Sequence, residues 1–312
     1  MHVLVTGANG FVGKTLVPML EKEGIRVTAA GTEEHNQDFA NWCQFDLCDK
    51  KSVDDLVRKT MPSHVVHLAA VSHVPTSFAK PELTWLTNVM GTMLLLEAFK
   101  VHSPNTFFCL ISSSEVYGES FKRGEAVTET TELAPMNPYA ASKVAAELVA
   151  QQYVRQGLKG VILRPFNHIG PGQAKGFVTS AFASQIADFE SSKLDDCVIK
   201  VGNLETFREF LNVKDVSKAY VSILKASDSL TSGGIFNISS GQPVKIEEVL
   251  NRLLSLSSKH INVVQDINLL RPSEIEKACG SSKKLFNALG WKPSIDLTDS
   301  LQEVLNSWRV NR

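Results

Sequence analysis

Charge of a single sign is the first thing missing. The chain carries 32 Lys and Arg against 33 Asp and Glu, a formal net charge of −1, which leaves no electrostatic footprint for wrapping nucleic acid or coating an anionic membrane. Neither partner is expected. The five cysteines (Cys43, Cys48, Cys109, Cys197, Cys279) are odd in number and form no Cys-x-x-Cys pair, so no disulfide framework and no metal site is expected. No apolar run reaches the roughly 20 residues of a spanning helix. Nor does a basic segment followed by an apolar one open the chain, as a secretion signal would. The expectation is a soluble, unprocessed cytoplasmic protein. Tyrosine is also scarce, with four in 312 residues, so few phenols are available for chemistry.

What is present is ordered from the start. His-Val-Leu-Val-Thr runs straight into Gly7, Gly10 and Gly13. A buried strand ending in a tight glycine turn aims the first N–H groups of the next helix at a pyrophosphate, and the helix dipole favours that charge. Gly7 supplies the turn, Gly10 lets the backbone approach the phosphates, and Gly13 lets a helix over 11–23 pack on the sheet. Short apolar runs at 3–6, 26–30, 64–68, 106–112 and 160–163 alternate with helical stretches. Strands separated by helices join through right-handed crossovers, which predicts an α/β fold with a Rossmann-type doubly wound parallel sheet and ligands at its carboxyl edge. Residues 1–165 are read as the dinucleotide-binding domain. After Arg164-Pro165-Phe166-Asn167 the alternation weakens, and 166–312 are read as a smaller α/β substrate-binding portion with some elements returning to the sheet. Helical spacing recurs at 214–225, 245–256 and 297–308.

Of the four tyrosines only Tyr139 has a lysine four residues on, Lys143. Four residues is one helical turn, so both side chains share a face and an ammonium can depress the phenol pKa for proton exchange near neutrality. Ser112, Ser113 and Ser114 close the strand over 106–112 and bring hydroxyls to the same edge. Asn237-Ile238-Ser239 matches a glycosylation acceptor but falls in an expected buried strand, and is read as chance.

With these residues together, the chain resembles the extended short-chain dehydrogenase/reductase family of nucleotide-sugar epimerases, dehydratases and reductases. The resemblance spans nearly the whole length: the glycine turn, Asp46-Leu47 on the adenine side, His67-Leu68-Ala69-Ala70, Asn88-Val89-Met90-Gly91-Thr92 and the Tyr139/Lys143 pair stand in the family's order. It implies a coenzyme held by Gly7, Asn9, Gly10, Phe11, Val12, Gly13, Asp46, Leu47, Leu68, Ala69, Ala70, Asn88, Tyr139, Lys143 and Pro165. It implies Tyr139 as acid/base, Ser113 orienting the substrate, and Lys143 holding the nicotinamide ribose with support from Asn88 through the backbone or a water.

The segments 164–173, 200–205 and 270–274 look most like the GDP-sugar branch. The implied reaction is NAD(P)H-dependent reduction of the C4 ketone of GDP-4-keto-6-deoxy-D-mannose to GDP-D-rhamnose. The resemblance puts Ser113, Ser114, Glu115, Tyr139, Asn167, Phe177, Val178, Lys200, Gly202, Arg208, Arg271 and Glu274 against the substrate. Arg208 and Arg271 are the candidates for the diphosphate, because guanidinium donates two parallel bonds to phosphate oxygens. Arg208 could instead pair locally with Glu205 or Glu209. The alternative activity is 4,6-dehydration of GDP-mannose, in which Glu115 would take the C5 proton. Against it, the stretch 31–36 is short and acidic, and Arg208-Glu209-Phe210-Leu211-Asn212 departs from the dehydratase pattern. A 4-epimerase, or a sensing protein without turnover, stands further off. At the end of the second strand Gly31 leaves no acid against a 2′-phosphate, but no Arg or Lys stands nearby to bind one, and Glu33 and Glu34 would disfavour it if they turned inward; either NAD or NADP is expected, NADPH slightly favoured. The family also implies a homodimer through helices over 81–101 and 138–156.

Overall fold

The computed structural model describes residues 1–192, 197–270 and 275–310. Six parallel strands come from the first half of the chain: β1 (His2–Thr6), β2 (Arg26–Gly31), β3 (Trp42–Gln44), β4 (His64–His67), β5 (Phe107–Ile111) and β6 (Lys159–Pro165). The chain lays down β1, β2 and β3 outward on one side. It then returns to pair β4 on the other side of β1, and continues through β5 and β6 to a seventh strand, Ile235–Ile238. The order reverses between β1 and β4, the switch point at which doubly wound sheets bind ligands. Rossmann-type topology is therefore borne out.

Alternation along the strands builds a core on each face. Val3 and Val5 of β1 face one helical layer with α1 (Gly13–Lys22) and the later helix Val213–Lys225. Leu4 faces the other, with α2 (Lys50–Thr60), α5 (Thr92–His102) and α6 (Pro138–Arg155). A third cluster, from Ile169 through Phe182 and Ile199 to Leu301 and Val304, fills the later half.

Two local features depart from the sequence reading. β3 is only three residues long and carries no alternating run; its pairing with β2 makes it a strand. The helix expected over 81–101 is interrupted. The short helices α3 (Val74–Ala79) and α4 (Pro81–Trp85) lead into a π-helical turn, Leu86–Gly91, before α5 begins. At Gly91 a Cβ would lie 2.5 Å from the Leu47 side chain, so that turn is fitted to the loop after β3. None of the described helices is long and apolar enough to cross a membrane.

Candidate active site

The glycine turn sits against the neighbouring strand. Gly7 has φ +68°, and a Cβ there would lie 2.7 Å from the Ala69 nitrogen; at Gly10 one would lie 3.1 Å from the Gly7 carbonyl oxygen. Only bare backbone fits, which is the cradle a dinucleotide pyrophosphate requires. The helix begins at Gly13, packed on Ala8, with Val12 as its N-cap. Beneath the turn, buried His67 joins three elements. Its Nδ1 lies 2.7 Å from Thr6 Oγ1 and its Nε2 3.1 Å from Thr92 Oγ1. Thr92 donates its proton to the Asn88 carbonyl, so Nε2 is the donor and Nδ1 accepts from Thr6. Burial, with the Lys143 charge adding to it, drives the His67 pKa down to about 3. The ring is neutral.

The corner after β2 is closely packed. A side chain at Gly31 would strike the Trp42 ring at 2.6 Å and Asn9 Oδ1 at 3.0 Å. Exposed Glu33 reaches the glycine turn instead: Oε1 accepts from Asn9 Nδ2 at 3.0 Å, Oε2 from Asn36 Nδ2 at 2.7 Å, and its carbonyl from Trp42 Nε1 at 2.9 Å. The cation beside this loop, Lys14, faces Asp38 at 3.2 Å. Phe45 N–H bonds the Gly31 carbonyl, which brings exposed Asp46 and buried Leu47 to the same corner. Phe11 stacks on His168 at 5.9 Å and 5°, and His168 Nδ1 donates to the Phe166 carbonyl at 2.9 Å. Leu68, Ala69 and Ala70 are half-buried past the end of β4, and Pro165 is buried at the end of β6.

The chemistry-bearing residues converge where β5 ends. Ser113 caps the turn Ser114–Arg123, accepting from the Glu115 N–H. Asn137 caps α6 through Oδ1 and the Ala140 N–H at 2.8 Å, with Pro138 in the first helical turn, where its missing donor does no harm. Tyr139 and Lys143 then share one face, both buried. Ser113 bonds the phenol, and Asn137 Nδ2 donates to Glu115 Oε2 at 3.1 Å, which brings a half-buried carboxylate beside them. Ser114 is buried under the turn.

One expectation needs correction, and another gains its local detail. Lys143 does not depress the phenol: its Nζ donates to the Ile111 carbonyl at 2.8 Å. Burial pushes Tyr139 up to about 12, with the Ser113 hydrogen bond opposing and the Glu115 charge adding. Burial draws Lys143 down to about 8, against the attraction of Glu147. The support from Asn88 is indirect. In the π-helical turn, its side chain bonds the Val71 N–H and carbonyl at 2.8 and 3.0 Å and Ser142 Oγ at 2.9 Å, holding Lys143's neighbour rather than Lys143.

The residues expected at the substrate are strung along a second region. Exposed Asn167 bonds Leu211 through its backbone, next to His168. Phe177 precedes the helix Val178–Ser191, whose first residue is Val178, and meets His73 edge-on at 6.2 Å. Lys200 is exposed on the strand Val198–Val201. At Gly202 a Cβ would lie 2.6 Å from the Leu269 carbonyl. Arg208 NH1 donates to the Phe207 carbonyl at 2.8 Å. The acids expected as its local partners are engaged elsewhere. Glu205 pairs with Lys245 at 2.9 Å, and buried Glu209 accepts from Ser239, Ser240, the Gly241 N–H and the Gly280 N–H. Arg271 and Glu274 lie outside the described residues. The chain on either side of them is anchored in this region, at Gly202 through Leu269 and at Phe207 through Glu276 and Ala278.

Sequence reasoning passed over Asn137 and Glu147, and named Glu33 only as an acid that would disfavour a 2′-phosphate if it turned inward. Asn137 alone had a local signal, an Asn-Pro pair opening a helix.

A switch-point glycine turn with Ser113, Tyr139 and Lys143 at the end of the fifth strand defines an enzyme of the extended short-chain dehydrogenase/reductase class. Within that class, residues 4–304 match the family described as GDP-mannose 4,6 dehydratase, and the chain belongs to it. It is 36% identical to the GDP-6-deoxy-D-mannose reductase of Pseudomonas aeruginosa, over 98% of this chain and 97% of that one. The solved structure of RMD from Pseudomonas aeruginosa complexed with NADPH superposes with a TM-score of 0.88 at 34% identity, covering 100% of this chain and 99% of that one. The UDP-glucose 4-epimerase of Thermus thermophilus complexed with NAD superposes at 0.86 with 28% identity, covering 99% of each chain.

Proposed function

We propose that the protein reduces the C4 ketone of GDP-4-keto-6-deoxy-D-mannose to GDP-D-rhamnose. The observation that carries this reading is the Tyr139 phenol, bonded to Ser113 and held protonated by burial up to about pH 12. A protonated phenol is an acid, the form a reduction needs. When bound, the reduced nicotinamide supplies the hydride. Ser113 then orients the C4 oxygen, and Tyr139 gives its proton to the alkoxide that develops there. The Lys143 ammonium, fixed on the Ile111 carbonyl, offers its remaining protons to the ribose. Remote binding energy from GDP positions the ketone, with Lys200, Gly202, Arg208, Arg271 and Glu274 as the residues we assign to that part of the substrate. The portion 166–312 is accordingly the substrate side and 1–165 the coenzyme side.

The coenzyme reading is use of either NADH or NADPH. It is supported by the similarity to an NADPH-bound and an NAD-bound neighbour. The slight advantage expected for NADPH is set against Glu33 and Glu34 turning inward; Glu33 hydrogen-bonds Asn9 of the glycine turn, and we assign it as the residue that limits NADPH. A homodimer is supported by the exposed apolar side chains Phe78, Trp85, Leu86, Met90 and Leu148 on α3, α4, the π-helical turn and α6, elements that lie against one another; exposed apolar surface gathered on one face marks an interaction site. Cytoplasmic residence completes the reading.

The second reading, dehydration of GDP-mannose, has one observation in its favour: the Glu115 carboxylate held by Asn137 beside Tyr139. One experiment separates the two. The purified protein is given the keto-sugar with NADPH or NADH, and in parallel GDP-mannose without reductant. Coenzyme oxidation by the keto-sugar with GDP-mannose untouched is the expected result. Conversion of GDP-mannose to a keto-sugar would establish the dehydratase, and inertness toward both would remove the GDP assignment.

A further inference from the structure

Three consecutive residues at the end of β5 are tied to three successive turns of α6. Ser113 bonds the Tyr139 phenol. The Ile111 carbonyl accepts from Lys143 Nζ at 2.8 Å, and Ser112 Oγ donates to Glu147 Oε1 at 2.5 Å. Tyr139, Lys143 and Glu147 stand four apart, on one stripe of the helix. The first two ties carry the chemistry. The third does not touch it, yet it is the most heavily built.

Glu147 is 1% accessible and Arg164 2%. Their pairing is bidentate, Nε to Oε1 at 2.9 Å and NH2 to Oε2 at 2.6 Å. Arg164 NH1 continues to the Tyr117 hydroxyl at 2.9 Å, which donates to Asn237 Oδ1 at 2.7 Å on the seventh strand. A buried ion pair is a poor device for stability alone, because apolar residues of the same volume serve as well or better. Its position suggests another use. The groups facing Lys143 are few: the neutral phenol of Tyr139 and the Glu147 carboxylate on its own helix, the Ile111 carbonyl on β5, and neutral His67 on β4. The cation on β6, Arg164, is turned onto Glu147, while Glu115 and Tyr117 in the turn after β5 face Asn137 and Arg164. Glu147 is thus the anion along the stripe that opposes the loss of the Lys143 proton on burial.

We propose that Glu147 is a positioning residue for the reaction, locking the exit of β5 to α6 through Ser112 and keeping buried Lys143 charged. The effect on turnover rests on the reductase reading; the effect on Lys143 does not. The test therefore begins with the ligand-free protein labelled with 15N-lysine, in which the Lys143 ammonium is assigned by its loss in Lys143→Met and titrated by NMR. In Glu147→Gln its pKa should fall by about one unit or more. Should that variant fail to fold with Arg164 left unpaired, Glu147→Gln/Arg164→Met leaves no lone buried charge; because it removes the Arg164 cation along with the Glu147 anion, the fall should be smaller than in the single variant but in the same direction. In Ser112→Ala, which keeps the ion pair, Lys143 should titrate as in the wild type, while kcat falls about tenfold from loosened alignment with KM little changed. Lower melting temperatures with an unmoved Lys143 titration would reduce the pair to a structural brace and overturn the proposal. A wild type that turns over neither sugar would instead sink the reductase reading and leave the Lys143 titration to decide.

Discussion

Glu33 Oε1 accepts a hydrogen bond from Asn9 Nδ2 at 3.0 Å, so an acid two residues beyond β2 closes the corner that Gly31 leaves open. The displacement follows from Trp42, whose ring occupies the space any side chain at position 31 would need. A 2′-phosphate must push this carboxylate away from Asn9, whereas a 2′-hydroxyl can donate to it. Glu33→Gln should therefore shift the NADPH to NADH ratio of kcat/KM about fivefold toward NADPH, the size of one solvent-screened charge interaction. Steady-state kinetics with both coenzymes checks it; an unchanged ratio would place the ribose elsewhere.

Tyr139→Phe removes only the phenolic hydroxyl, and with it the proton the reaction needs. Turnover should drop by about 10²–10⁴, the range of general acid catalysis, while coenzyme and sugar-nucleotide dissociation constants stay put. Calorimetric titration beside the rate assay separates the two effects.

The pH dependence follows from two buried bases. Lys143, drawn down to about 8 by burial, is charged below that pH and neutral above it, and its charge is the form that serves the reaction. The logarithm of kcat/KM for the ligand-free enzyme should thus decline above about pH 8. His67, held near 3 by burial, stays neutral throughout, so it contributes no limb between pH 5 and 8. A profile flat through pH 9.5 would mean that the Lys143 charge is not required.

If the apolar face of α4 and α6 is the dimer interface, a charge set into it should open the dimer. Leu148→Glu, on an exposed side chain, should yield a monomer by light scattering. The fold should survive, because Leu148 lies outside the packed cores.

Much of this site was legible because its signals are local. The glycine turn spans seven residues, the Tyr139/Lys143 pair five, and the strand-helix alternation needs only short windows. What stayed hidden depends on distant partners. Glu33 meets Asn9 across 24 positions, Asn137 meets Glu115 across 22, and Ser112 meets Glu147 across 35. No window of sequence contains those choices. The same holds for the phenol. Spacing alone set Lys143 beside Tyr139, but the Ile111 carbonyl, 32 residues away, takes the ammonium. The π-helical turn escaped for a related reason, since Gly91 reads as a mild helix breaker until Leu47 is packed on it.

The seventh strand, Ile235–Ile238, is contributed by the later half of the chain yet covers the outer edge of β6. A fragment cut at residue 165 would expose that edge as an unpaired ladder of N–H and C=O groups, a template for aggregation. It would also strip Tyr117 and, through it, Arg164 of the Asn237 contact. Residues 1–165 are therefore not a separable module: synthesis must run some 70 residues beyond β6 before the sheet is whole. Such distant closure favours slow folding and ties the integrity of the catalytic edge to the last-made part of the sheet.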